Sequence, residues 1–177
     1  MDFIFLRDTF IELLAGVPLT LQLTTISLAV GFVLAIILAL FRYSEIFILD
    51  WFARVYFFVL RGTPLLVQLF LIYYGLGQFE TVRESSAWTV LREPYWCAIG
   101  ALILNTAAYS GNILYGGLIA VPYGQVEAAR ACGMSKFMIF RRIMMPLAIR
   151  QALPGYSNEM ISMVKATSLA SIITLSE

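Results

Sequence analysis

Three long stretches of the chain carry no charged side chain: Leu13 to Phe41, Gly62 to Phe79 and Pro94 to Val126. A helix of roughly 20 apolar residues crosses the hydrocarbon of a bilayer, so each stretch can cross it or nearly so. A fourth apolar stretch, from Pro154 to Leu175, is interrupted only by Glu159 and Lys165. The pattern predicts an all-α integral membrane protein with spans over about 16–40, 64–79, 95–119 and 154–175. The second span is short. The apolar segment before it, Ile46 to Leu60, is charged only at Asp50 and Arg54. It reads either as an interfacial helix or as the lower half of a longer span.

Local chemistry suggests the boundaries. Thr63 before Pro64 is placed to cap a helix, with the proline at its first helical position. Pro154 suits the start of the fourth span in the same way. Trp88, Tyr95 and Trp96 fall where interfacial aromatics collect.

Composition strengthens this picture. Hydrophobic residues make up 60% of the chain and charged residues 13%, against about 45–50% and 25% in soluble domains. The first run follows an acidic start (Asp2, Asp8, Glu12), unlike the basic start of a secretory signal, so it is expected to be a span. The absence of histidine argues against metal sites and histidine-based catalysis. Cys97 lies near the start of the third run and Cys132 beyond its end, and they are expected to be too far apart to pair. A net charge of +1 points to no nucleic-acid partner.

Basic residues mark the cytoplasmic side of a membrane protein. Arg42, Arg54 and Arg61 follow the first span, and Arg130, Lys136, Arg141, Arg142 and Arg150 follow the third. The opposite side holds Arg7, Arg83 and Arg92. The bias predicts a periplasmic amino terminus.

The segment between the third and fourth spans, about 122–150, predicts a cytoplasmic hairpin. Good helix formers from Gln125 to Cys132 end at Gly133, which suits the left-handed turn past a helix end. Ser135 can cap a second helix, and Pro146 is expected to bend or end it. Phe137, Met138, Ile139, Phe140, Ile143 and Met144 cannot all face water. The hairpin therefore lies against anionic lipid or docks on a protein, and Ala128, Ala129 and Ala131 would admit a close backbone.

Glu127-Ala128-Ala129, with Gly133 six residues after Glu127 and then Ile143 and Pro146, resembles the EAA signature of binding-protein-dependent ABC importer permeases. Arg61-Gly62-Thr63-Pro64-Leu65-Leu66-Val67-Gln68 is similar to a segment of the polar amino acid branch, which serves histidine, glutamine, glutamate, arginine and opines. Gly124-Gln125, Leu153-Pro154 and Asn158 also fit that branch, and the resemblance covers nearly the whole chain.

The resemblance implies the transmembrane domain of a type I ABC importer in the bacterial inner membrane. Glu127, Ala128, Ala129, Gly133, Ile143 and Pro146 would belong to the helix that couples to a separate ATP-binding subunit. A periplasmic solute-binding protein and a second permease, the same or related, would complete the assembly. The chain has no GxxxxGK[ST] loop, so no cofactor is expected on it and ATP would be used by the partner.

Two departures from the family pattern stand out. Asn112 and Tyr115 occupy positions where the branch often has a glutamate and an arginine. Family members also usually continue into a fifth span, so four spans read as a set lacking one. Polar groups in a membrane helix either bond neighbouring helices or face a water path. Gln68, Asn112, Asn158, Glu159 and Lys165 are the candidates for a substrate path. A gradient-driven transporter or channel, and a non-transporting assembly subunit, are the alternative functions.

Overall fold

The computed structural model describes residues 3–44 and 46–170, and among them every regular element is helical. Helix α1 spans Phe3–Tyr43, α2 Phe47–Gly62 and α3 Leu65–Phe70. A π turn, Leu71–Gly75, and a 3-10 turn, Leu76–Gln78, prolong α3. Two short helices, α4 (Glu80–Arg83) and α5 (Trp88–Leu91), lead into α6, Pro94–Ile119. Then come α7 (Tyr123–Ala131), α8 (Lys136–Ile139), a π turn (Phe140–Met144), α9 (Met145–Ala166) and a 3-10 turn (Thr167–Ala170).

Helix α6 is the axis of the bundle, and α1, α2, α3 and α9 pack on it. It begins at Pro94, where the missing N–H is no loss in a first turn. Helix α6 covers the stretch expected as the third span, starting one residue earlier. Small side chains set the packing distance. A Cβ on Gly31 would lie 2.8 Å from Thr106 Cγ2, and one on Gly117 would lie 2.5 Å from the carbonyl oxygen of Ala148. Helices α1 and α9 therefore approach α6 almost backbone to side chain, the usual device where lipid supplies no hydrophobic drive for association. Leu23, Leu69, Ala98, Leu102 and Met163 form the core at one level of α6, and Leu38, Ala53, Phe57, Ala107 and Ala108 at another.

The other expected boundaries change. Helix α1 has 41 residues and starts well before position 16. At about 1.5 Å per residue it is roughly twice as long as the hydrocarbon is thick. Its first turns include Arg7 and Asp8, which pair with each other on an exposed face. Charges end the apolar surface of a helix but not its backbone bonds, so the apolar run understates the helix.

Thr63 closes α2 and does not open α3. The residue before a proline is pushed out of the α region, and Thr63 is extended, with φ −112° and ψ 139°. Pro64 itself precedes α3 at φ −60° and ψ 138°. The chain bends here by 103° between Phe47–Gly62 and Leu65–Gln78. The segment expected as a short second span is thus one arm of a bent pair, with α2 as the other.

Pro146 neither ends nor visibly breaks its helix. The π turn before it widens the coil, and the Met145 N–H donates to the Phe140 carbonyl, five residues back. This relieves the crowding that a proline ring causes in a regular α-helix. Pro154 lies inside α9 and does not start it. The predicted fourth span is therefore the later part of a helix that begins at Met145, and residues 171–175 of it lie outside the described residues. By length and apolarity, α1 and α6 can each cross a membrane, and the bent pair makes a third crossing if taken as one.

Candidate functional site

The break between α2 and α3 leaves the last carbonyls of α2 without helical partners. Gln68, one turn into α3, supplies donors from its buried side chain. Its Nε2 lies 2.7 Å from the Leu60 carbonyl oxygen, 3.0 Å from that of Thr63 and 2.9 Å from Thr63 Oγ1. The amide oxygen of Gln68 in turn accepts from Asn105 Nδ2 on α6 at 3.3 Å. The bend is thus tied to the central helix by an amide pair.

A cavity of about 580 Å³ opens beside this bend. The segment from Arg61 to Pro64 forms one wall. Asn105 and Tyr109 of α6 form the second, and Glu159, Ser162 and Met163 of α9 the third. The Arg61 guanidinium stacks over the Tyr109 ring, 5.3 Å from its centroid, an arrangement that holds a cation against an aromatic face. By sequence Arg61 belongs with the basic residues that follow the first span, yet it lies against the middle of α6. A basic and an acidic side chain therefore line one cavity, together with hydroxyl, amide and apolar side chains. Such a space can hold a small solute carrying both charges.

Of the residues singled out for a substrate path, Glu159 lines this cavity and the Arg61–Pro64 segment joins it. Gln68 stands behind it, its donors engaged at the bend. Asn112 is half-buried further along α6, and Asn158 and Lys165 are exposed on α9. Asn105, Tyr109 and Ser162 complete the lining. Their only sequence signal was polarity within an apolar helix, which packing contacts share.

The hairpin is formed by α7 and α8. Gly133 has φ +76°, the left-handed turn that an L side chain resists, and the Met134 N–H donates back to the Ala129 carbonyl. Ser135 Oγ accepts from the Met138 N–H at 3.3 Å and caps α8. Val126, Ala129, Ile139 and Met144 bury themselves together. Glu127, Ala128 and Pro146 remain exposed and Ile143 is half-buried. At the near end of α1, Asp50 pairs with both Arg42 and Arg54, and the Arg42 guanidinium lies 4.7 Å from the Tyr115 ring centroid. Tyr115 thus takes part in a cation–π contact at the position where an arginine was expected.

Residues 4–177 match the family described as binding-protein-dependent transport system inner membrane component. The chain is 63% identical over 176 residues to the octopine transport system permease protein of Rhizobium meliloti, covering 99% of this chain and 72% of that one. It is 53% identical to the nopaline transport system permease protein of Agrobacterium fabrum, covering 100% of this chain and 74% of that one. The arginine ABC transporter permease protein of Haemophilus influenzae is 42% identical, with 90% and 70% coverage. A solved structure described as an amino acid ABC transporter with histidines superposes with a TM-score of 0.86 at 35% identity, covering 98% of this chain and 77% of that one. Its fold is that of an ABC transporter membrane domain, and the chain belongs to the inner membrane components of binding-protein-dependent transport systems, as one of their permease subunits.

Proposed function

We propose that the cavity beside the α2–α3 bend is part of the translocation path for a basic amino acid or opine, and that the α7–α8 hairpin couples it to a separate ATP-hydrolysing subunit. The observation that carries this reading is the meeting of Arg61 and Glu159, far apart in sequence, on one cavity at a broken helix. Membrane transporters place polar substrates at such breaks, where backbone groups leave the helical ladder. Octopine, nopaline and arginine each carry a guanidinium group and at least one carboxylate. Glu159 would oppose the first and Arg61 the second. Gln68 supports the cavity through Asn105. Asn112, Asn158 and Lys165 would extend the path towards a second permease, the same or related.

Glu127, Ala128, Ala129, Gly133, Ile143 and Pro146 form the coupling surface in this reading. The exposed Glu127 offers a charge to the ATPase, and Gly133 sets the angle of the hairpin. ATP binding would draw two ATPase subunits together and shift the helices through the hairpins, a two-state change biased by a ligand. The amino terminus is assigned to the periplasmic side, where a solute-binding protein would deliver the substrate, and the hairpin to the cytoplasmic side.

The test is uptake of labelled octopine and arginine by the assembled transporter. Glu159→Gln is expected to lower uptake strongly while the subunits still assemble, and unchanged uptake would rule out this role for Glu159. Glu127→Lys is expected to abolish co-purification of the ATPase. Uptake that persists with the ATPase subunit deleted would favour a gradient-driven transporter.

A further inference from the structure

A second cavity, of about 570 Å³, lies where the hairpin meets the ends of α1 and α6. Among the described residues its charged liners are Arg130 and Lys136, and neither forms a salt bridge. No carboxylate lines it. The Tyr43 hydroxyl, which faces the same space, is turned to Met144 Sδ at 3.6 Å. The rest of the wall is largely apolar, including Val126, Phe137 and Ile139.

A third cavity, of about 260 Å³, adjoins it, and Leu118 and Phe140 wall both. Its lining is wholly hydrophobic. Phe32, Ile36 and Leu40 contribute one side of it. Their four-residue spacing puts them on one face of α1, and they span about 12 Å along it, on the side of Tyr43 away from the end of α1. The apolar space therefore extends along the spanning part of α1, while the cationic space sits at its end.

We infer that the two cavities together bind one anionic phospholipid, with the phosphate between Arg130 and Lys136 and an acyl chain beside Phe32, Ile36 and Leu40. A free phosphate would use the first cavity alone and a neutral hydrocarbon the second alone. The shared wall of Leu118 and Phe140 favours an amphiphile. Basic pockets beside membrane helices attract anionic headgroups, and each basic residue near the surface contributes about a fivefold gain. A lipid seated here touches α1, α6 and the hairpin at once and braces the hairpin against the bundle. The site is distinct from the Glu159 cavity and does not depend on which solute is carried.

Native mass spectrometry tests this on the permease extracted with its associated subunits, titrated with phosphatidylglycerol, phosphatidylcholine or inorganic phosphate. Phosphatidylglycerol is expected to bind once per permease chain and to resist displacement by inorganic phosphate. The double variant Arg130→Gln with Lys136→Gln is expected to weaken it about thirtyfold, and the swapped pair Arg130→Lys with Lys136→Arg to retain it. Phosphatidylcholine is expected to bind more weakly than phosphatidylglycerol, and equal binding overturns the anionic assignment. Ile36→Trp, which adds bulk to the wall of the apolar cavity, is expected to weaken phosphatidylglycerol binding. Displacement by inorganic phosphate alone overturns the lipid assignment. So does binding that survives either the double variant or Ile36→Trp, or that is lost in the swapped pair.

Discussion

Pro64 and Pro146 sit in two helix interruptions with opposite outcomes. At Pro64 the chain turns by 103°. At Pro146 the helix carries on through a π turn into α9. The difference lies in what the surroundings supply. At the bend, Gln68 reaches back to the carbonyls left open at the end of α2 and is itself held by Asn105. The break is stable because its orphaned polar groups have partners, which they must have away from water. Around Pro146 the helix is held by packing: Ala148 lies against Gly117 of α6, and Ala152 beside it. One interruption is fixed by hydrogen bonds and makes a polar cavity. The other is fixed by close packing and keeps the hairpin continuous with α9.

The sharpest way to break the packed side is Gly117→Ala. The new methyl group would stand 2.5 Å from the Ala148 carbonyl oxygen, so α6 and α9 must separate. A loss of about 3 kcal/mol is expected, read as a fall in the thermal unfolding midpoint in detergent. Gly100→Ala, with nothing within 4 Å, is the matched control. On the hydrogen-bonded side, Gln68→Ala removes the donors to Leu60 and Thr63 and leaves the Asn105 amide without its acceptor. About 2 kcal/mol is expected to go, with a larger loss of uptake than of assembly because the cavity wall moves. Gly133→Ala forces a methyl group into a left-handed turn at φ +76° and is expected to cost about 1 kcal/mol, measured by amide hydrogen exchange across the hairpin. Pro146→Ala is expected to change stability by less than about 0.5 kcal/mol, since the π turn already accommodates the ring. A drop comparable to that of Gln68→Ala would erase the contrast between the two prolines.

Some of this was legible in the chain. The charge-free runs marked α1 and α6, because an apolar stretch of spanning length has few stable alternatives in a membrane. Gly133 and Ser135 announced local backbone events that need only near neighbours, and each occurs where its residue type suggested. Glu159 stands out in the sequence as an ionisable group within an apolar segment.

The tertiary structure decided the rest. Whether a proline breaks a helix depended on partners outside its own turn: Gln68 and Asn105 for Pro64, and the widened turn before Pro146. Thr63 was legible as a helix residue but not as the end of one helix in place of the start of the next. The opposition of Arg61 and Glu159 exists only because α2 and α9 both pack on α6. Hydrophobic pattern reports which surfaces avoid water, turn by turn. It carries no record of which distant polar groups will share the space left when those surfaces meet.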